Sequence, residues 1–155
     1  MTRFKLVAMG GTFDIIHKGH VELLWGAFSI SDKVIIGLTS DELAKKKGKN
    51  PGNDYSTRYK KLETTIRKNF PNSKYMIAKL ENDFGPAVLE KEVEALVVSD
   101  ETESKGVELN RLRAAKGSPP VEIIVIPLVL AKDGTRISTT RIKKSEIDSE
   151  GNVLN

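Results

Sequence analysis

The chain has 155 residues, 39% hydrophobic and 30% charged, enough for one domain whose single buried core needs neither metal nor disulfide support. Its formal charge of +4 is a small excess, much of it in Lys45, Lys46, Lys47 and Lys49; nothing resembles the aromatic-and-basic interleaving of an RNA-binding sheet, and an anionic small-molecule substrate accounts for the balance without nucleic acid. The absence of cysteine excludes disulfides and thiolate metal sites, no apolar run approaches the roughly 18 to 20 residues of a membrane span, and the amino end has no secretory pattern, so the expected compartment is the cytoplasm.

A short apolar run from Phe4 to Met9 reads as a first strand. It passes directly into Gly10-Gly11-Thr12-Phe13-Asp14-Ile15-Ile16-His17-Lys18-Gly19-His20 and then into a helical pattern spanning Gly19 to Ser29. Glycines at a strand end let backbone N–H groups approach a phosphate, and a helix start offers unpaired N–H groups and a positive dipole end to an anion. His17 and His20, the only histidines, stand three apart and so share a face. A metal site would need a third ligand that is not evident, and a plain capping or core role is the bland alternative. Phosphate contact is the favoured reading.

A second strand follows at Lys33 to Leu38, then a short helix from Asp41. The Gly-, Asn- and Lys-rich stretch Lys47 to Asp54 suits a mobile surface loop. The next helix runs from Thr57 to Phe70, where Pro71 stops it. Strands at Lys74 to Ala78 and Ala95 to Ser99, a helix from Glu103 to Ala115, the break Ser118-Pro119-Pro120, and a strand at Val121 to Ile126 complete the pattern.

Strands apolar on both faces alternating with helices imply an α/β, Rossmann-like fold: a five-stranded parallel sheet with helices on both faces, as one domain over residues 1–155. Its ligand crevice belongs at the carboxyl ends of the strands. Near the chain end, Asp133-Gly134-Thr135-Arg136 precedes Ile137-Ser138-Thr139-Thr140-Arg141-Ile142, hydroxyl-bearing N-cap residues with a fixed cation that read as a second anion site. The tail after Ile147 is expected to fray.

Thr12-Phe13-Asp14, His17-x-Gly19-His20 and the late Ile-Ser-Thr-Thr-x-Ile resemble the HxGH nucleotidyltransferase superfamily, which shares its signature with class I aminoacyl-tRNA synthetases. Tyr55-Ser56-Thr57-Arg58, Asp83-Phe84-Gly85-Pro86-Ala87, Val97-Val98-Ser99-Asp100-Glu101-Thr102 and Asn110-Arg111-Leu112-Arg113 are similar to the archaeal phosphopantetheine adenylyltransferases and the matching domain of eukaryotic CoA synthase. The likeness covers nearly the whole chain. It departs from the bacterial enzymes, which have Thr where His17 stands and an arginine-rich turn after the fourth strand.

The resemblance implies transfer of AMP from ATP to 4′-phosphopantetheine, with an FMN adenylyltransferase or a cytidylyltransferase as the alternative. Thr12, His17 and His20 would then contact the α-phosphate, with Gly11 and Phe13 also in the ATP and phosphate site. Ser138, Thr139, Thr140 and Arg141 would hold the β- and γ-phosphates, and Asp100 the adenine or ribose. A lysine after the second strand is a recurring phosphate ligand of the superfamily, and position favours Lys47, with Lys45 next. Arg58 and Arg113 would orient the acceptor phosphate or pair with surface carboxylates. Mg²⁺ is expected on the triphosphate with few direct protein ligands. The partners are small molecules, and the assembly is a monomer or small homo-oligomer.

Overall fold

Residues 3–82, 84–85, 87, 90–99, 102–127, 132, 142 and 147–153 are described by a computed structural model. Asp100 and residues 133–141, which include Ser138, Thr139, Thr140 and Arg141, lie outside the described residues. The strands are β1 (Phe4–Gly11), β2 (Ser31–Thr39), β3 (Tyr75–Leu80), β4 (Ala95–Ser99) and β5 (Glu122–Ile126). All pairings are parallel, in the order β3-β2-β1-β4-β5. The order reverses direction between β1 and β4, so a crevice opens beside the carboxyl end of β1.

Four helices are described: α1 (Lys18–Ile30), α2 (Asp41–Lys46), α3 (Tyr55–Asn69) and α4 (Ser104–Ala115). Side-chain caps begin α1, α2 and α3. Ser40 Oγ accepts from the Leu43 N–H at 3.0 Å and begins α2. Asp54 accepts from the Thr57 N–H at 2.9 Å, which starts α3 two residues ahead of the expected Thr57. That hydrogen bond holds the Asp54 carboxyl below its ordinary range.

Alternation along the strands divides the core in two. Val7 and Met9 of β1, Val34, Ile36 and Leu38 of β2, and Ala95 and Val97 of β4 face α1 and α3, meeting Leu24, Ala27, Leu62 and Ile66. The intervening Ala8, Ile35, Leu96 and Val98 pack on the opposite face with Leu109 of α4, Val93 and Phe84. Each fully buried Leu or Ile contributes about 1.5–3 kcal/mol by leaving water, so both faces hold the sheet and neither is left for solvent. Among the described residues no helix is long and apolar enough to cross a membrane.

The expected fraying after Ile147 does not occur over residues 147–153. Ile147 is fully buried and bridges Val153 in antiparallel fashion. Asp148 ties the turn between them, accepting from the N–H groups of Glu150 and Asn152 at 3.0 and 2.8 Å. The Asn152 side-chain amide, donating to the same carboxylate at 2.9 Å, and then these N–H bonds lower the Asp148 pKa. A composition rich in Asp, Ser, Gly and Asn reads equally as a loose end or as such a turn.

Candidate active site

The HxGH spacing is the spacing of a helix cap. His17 is extended at the N-cap of α1, with φ −134° and ψ 176°, and its side chain and that of His20 make a reciprocal capping box. His17 Nδ1 accepts the Gly19 N–H at 3.1 Å, while His20 Nδ1 accepts the His17 N–H at 3.1 Å. An imidazole nitrogen that accepts cannot carry the proton, so each ring is protonated on Nε2. The rings stack with centroids 3.8 Å apart. His17 is therefore a capping histidine as well as a candidate ligand, and the two roles use different ring nitrogens.

This arrangement corrects one expectation. The first N–H groups of α1 are not presented to an anion: Lys18 N–H donates to the Ser149 carbonyl, Gly19 N–H to His17 Nδ1, and His20 N–H to the His17 carbonyl. What the helix start offers a phosphate is its dipole and imidazole Nε2–H groups.

Burial, and secondarily the charge of His17, push His20 down from 6.5 to about 3. His20 is thus neutral at any physiological pH and acts as a fixed hydrogen-bond donor. Phe13 supplies part of the cover: its ring is 2% exposed and lies 5.0 Å from the His20 ring. Its backbone sits in the left-handed region at φ 50°, a conformation that costs a bulky residue about 1 kcal/mol or more. Gly11 makes room, since a Cβ there would stand 3.0 Å from the Phe13 ring. The Phe13 ring is consequently a wall of the histidine pocket and offers no surface to a nucleotide. Gly19 has a matching reason, because a Cβ would meet the His17 ring at 2.8 Å.

Thr12, at the end of β1, is met by a lysine other than those expected. Lys49 Nζ lies 3.3 Å from Thr12 Oγ1. Lys45 sits exposed in the last turn of α2, and Lys47 is that helix's C-cap, its N–H donating to the Leu43 carbonyl. Lys49 is the lysine the fold brings to the end of β1.

Arg58 meets one of its two expectations, pairing with the half-exposed carboxylate of Asp41, and Arg113 meets neither. Arg58 is 0% exposed; its guanidinium donates to the carbonyls of Asn53 at 3.1 Å and of Thr12 and Thr39 at 2.8 Å each, and pairs with Asp41 at 2.7 Å. It ties the ends of β1 and β2 to the start of α3. Arg113 is also 0% exposed and donates to backbone carbonyls of Ala87, Glu90, Lys91, Val93 and Pro119. Burial lowers its pKa. Neither phosphate contact nor pairing with a surface carboxylate describes Arg113; it staples residues 87–93 and 119 to α4, where a cation meets carbonyl dipoles instead of water. Helix periodicity carried the signal: Arg58 lies four and eight residues before buried Leu62 and Ile66, and Arg113 four after buried Leu109.

On the face of the sheet away from α1, an apolar pocket is walled by Gly10, Gly37, Leu80, Phe84, Ala87 and Leu96. Gly10 and Gly37 are neighbours in the β1–β2 register and make room for the Leu80 side chain, which a Cβ on Gly37 would meet at 2.7 Å.

Residues 8–145 match the family described as cytidylyltransferase-like. A phosphopantetheine adenylyltransferase of Methanothermobacter thermautotrophicus is 42% identical over 152 residues, 98% of this chain and 91% of its own. The phosphopantetheine adenylyltransferase of Pyrococcus horikoshii is 43% identical over 159 residues, 99% of this chain and 98% of its own. Among solved structures, a lipopolysaccharide core biosynthesis protein from Thermoplasma volcanium superposes with a TM-score of 0.63 at 23% identity, over 79% of this chain and 95% of its own, a likeness of fold.

Proposed function

The chain belongs to the cytidylyltransferase-like family, and from that premise we infer that it is a phosphopantetheine adenylyltransferase, moving AMP from ATP to 4′-phosphopantetheine and releasing pyrophosphate in coenzyme A biosynthesis. The observation that carries this reading is identity of 42–43% over nearly the full length of archaeal enzymes of that name.

The acceptor is a phosphate monoester, largely ionised at neutral pH, so its oxygen attacks the α-phosphorus without a general base. The new O–P bond forms as the bond from the α-phosphorus to the bridging oxygen breaks, and pyrophosphate leaves. The protein's task is alignment and compensation of charge. His17 and His20 donate from Nε2 to the α-phosphate, and the low pKa of His20 keeps that donor constant with pH. Lys49, beside Thr12, adds the cation that sequence position assigned to Lys47 or Lys45. Ser138, Thr139, Thr140 and Arg141 hold the β- and γ-phosphates, and Asp100 the adenosine. The apolar pocket takes the pantetheine arm.

Mg²⁺ enters with ATP. The donors gathered at the end of β1 are N–H groups and a lysine, and among the described residues no group of three or more His, Asp or Glu side chains could hold a metal ion. Bound with ATP, the cation would supply neutralisation of the charge that develops on the leaving pyrophosphate. The enzyme works in the cytoplasm without nucleic acid, as a monomer or small homo-oligomer.

Purified protein is mixed with ATP or CTP and, in turn, 4′-phosphopantetheine, FMN or glycerol phosphate, and pyrophosphate release is measured. Release with ATP and 4′-phosphopantetheine alone is the expected result. Turnover confined to CTP or to another acceptor would transfer the assignment to a different nucleotidyltransferase.

A further inference from the structure

Lys49 approaches Thr12 from a segment whose composition alone marks it as loose, so something must hold it there. Its own N–H donates to Ala44 at the end of α2, which anchors one side. Asp14 anchors the other. That carboxylate is 5% exposed and accepts from the N–H groups of Gly52 at 2.9 Å and Asn53 at 3.1 Å and from Asn53 Nδ2 at 3.0 Å. The Asn53 amide also donates to the Asp14 carbonyl at 3.2 Å. From the opposite side Arg58 Nε takes the Asn53 carbonyl, while Arg58 Nη1 takes the carbonyl of Thr12.

These bonds close a circuit. Thr12 and Asp14 are two residues apart on one segment, and Arg58 and Asp14 grip Asn53 between them. Only Asn50, Pro51 and Gly52 separate Lys49 from Asn53, and Pro51 has a fixed φ. The lever from the grip to the lysine is short and partly rigid. A buried carboxylate loses hydration on folding and is retained only if its acceptors are filled; here they are filled by one loop.

We propose that Asp14 and Asn53 are positioning residues for the transfer reaction, a latch that fixes the loop of residues 47–54 so that Lys49 meets the phosphate beside Thr12. Neither residue touches substrate; both act through Lys49. The inference rests on the adenylyltransferase reading for its kinetic consequence and on the hydrogen bonds alone for its structural one.

The test pairs a double-mutant cycle with proteolysis. Asp14→Asn keeps the shape of the side chain but turns one acceptor into a donor facing the Gly52 and Asn53 N–H groups. Asp14→Asn lowers kcat roughly ten- to hundredfold, the scale of a misplaced charge-compensating group. In the Lys49→Ala background it lowers kcat no further, because the route of its action is already gone. Trypsin cleaves after Lys49 several-fold faster in the variant than in the wild type at equal thermal stability. Asn53→Ala shows the same pattern and carries the test if Asp14→Asn does not fold. An undiminished loss of kcat in the Lys49→Ala background, or unchanged cleavage after Lys49, overturns the proposal. Faster cleavage in variants of a protein that forms no dephospho-CoA leaves the latch standing and removes the reaction assignment instead.

Discussion

Lowering the pH from 7 to 4.5 tests the state of His20 directly. The folded pKa of about 3 lies below the ordinary value of 6.5. Between those limits the unfolded chain binds a proton that the folded protein refuses, so stability is full above pH 6.5 and is lost as the pH falls towards 3. At pH 4.5 about two pH units of that window have been crossed, a loss on the order of 2–3 kcal/mol. Equilibrium urea unfolding measures it, with His20→Asn as the reference that no longer titrates there. Asp54 and Asp148, both held below their ordinary range by hydrogen bonds, weaken wild type and variant alike and cancel in the difference. Wild type should lose roughly 2–3 kcal/mol more than the variant between the two pH values. Parallel losses, within about 0.5 kcal/mol, would mean that His20 titrates as in open water and is no fixed Nε2–H donor.

Other consequences follow from neighbouring contacts. Gly19→Ala improves helix propensity by about 1 kcal/mol yet pushes the His17 ring, so melting temperature should hold while kcat falls at least tenfold, by a pyrophosphate-release assay. Arg113→Lys replaces five N–H donors by three on one nitrogen and leaves at least two carbonyls unpaired; roughly 3 kcal/mol and a drop in Tm of about 6–12 °C should appear in calorimetry. Lys49→Ala should lower kcat about 10²-fold or more, and further than Lys47→Ala does in the same assay. Gly37→Val pushes Leu80, 2.7 Å from the new Cβ, into the apolar pocket and should raise KM for 4′-phosphopantetheine at least fivefold with KM for ATP unchanged, if that pocket holds the pantetheine arm.

The sheet and its helices were legible because each strand carries apolar residues on both faces and each helix begins or ends at Ser, Asp, Pro or Gly. The His17–His20 pair was legible for a local reason as well, since N-cap and N3 positions are three residues apart whatever the rest of the chain does. Lys49 was not legible. Its placement depends on hydrogen bonds from Asp14 to residues 38 and 39 positions later, and no short-range pattern contains them. Arg113 was misread because charge was taken as a sign of exposure, although it falls, like Arg58, on the apolar stripe of its own helix. The Ser149 carbonyl that occupies the first N–H of α1 has no signal in the sequence at all.

The position of β1 in the middle of the sheet also bears on how the molecule is made. A chain emerging from the ribosome delivers β1, β2 and β3 first, and these three are mutual neighbours. Once residue 80 has cleared the exit, a three-stranded half with α1 and α3 on one side can zip up with no unpaired gap inside it. Its one unfinished border is the edge of β1 that later receives β4, so the last-made half of the chain docks on a template already in place, and the histidine cap is assembled before β4 and β5 have been synthesised.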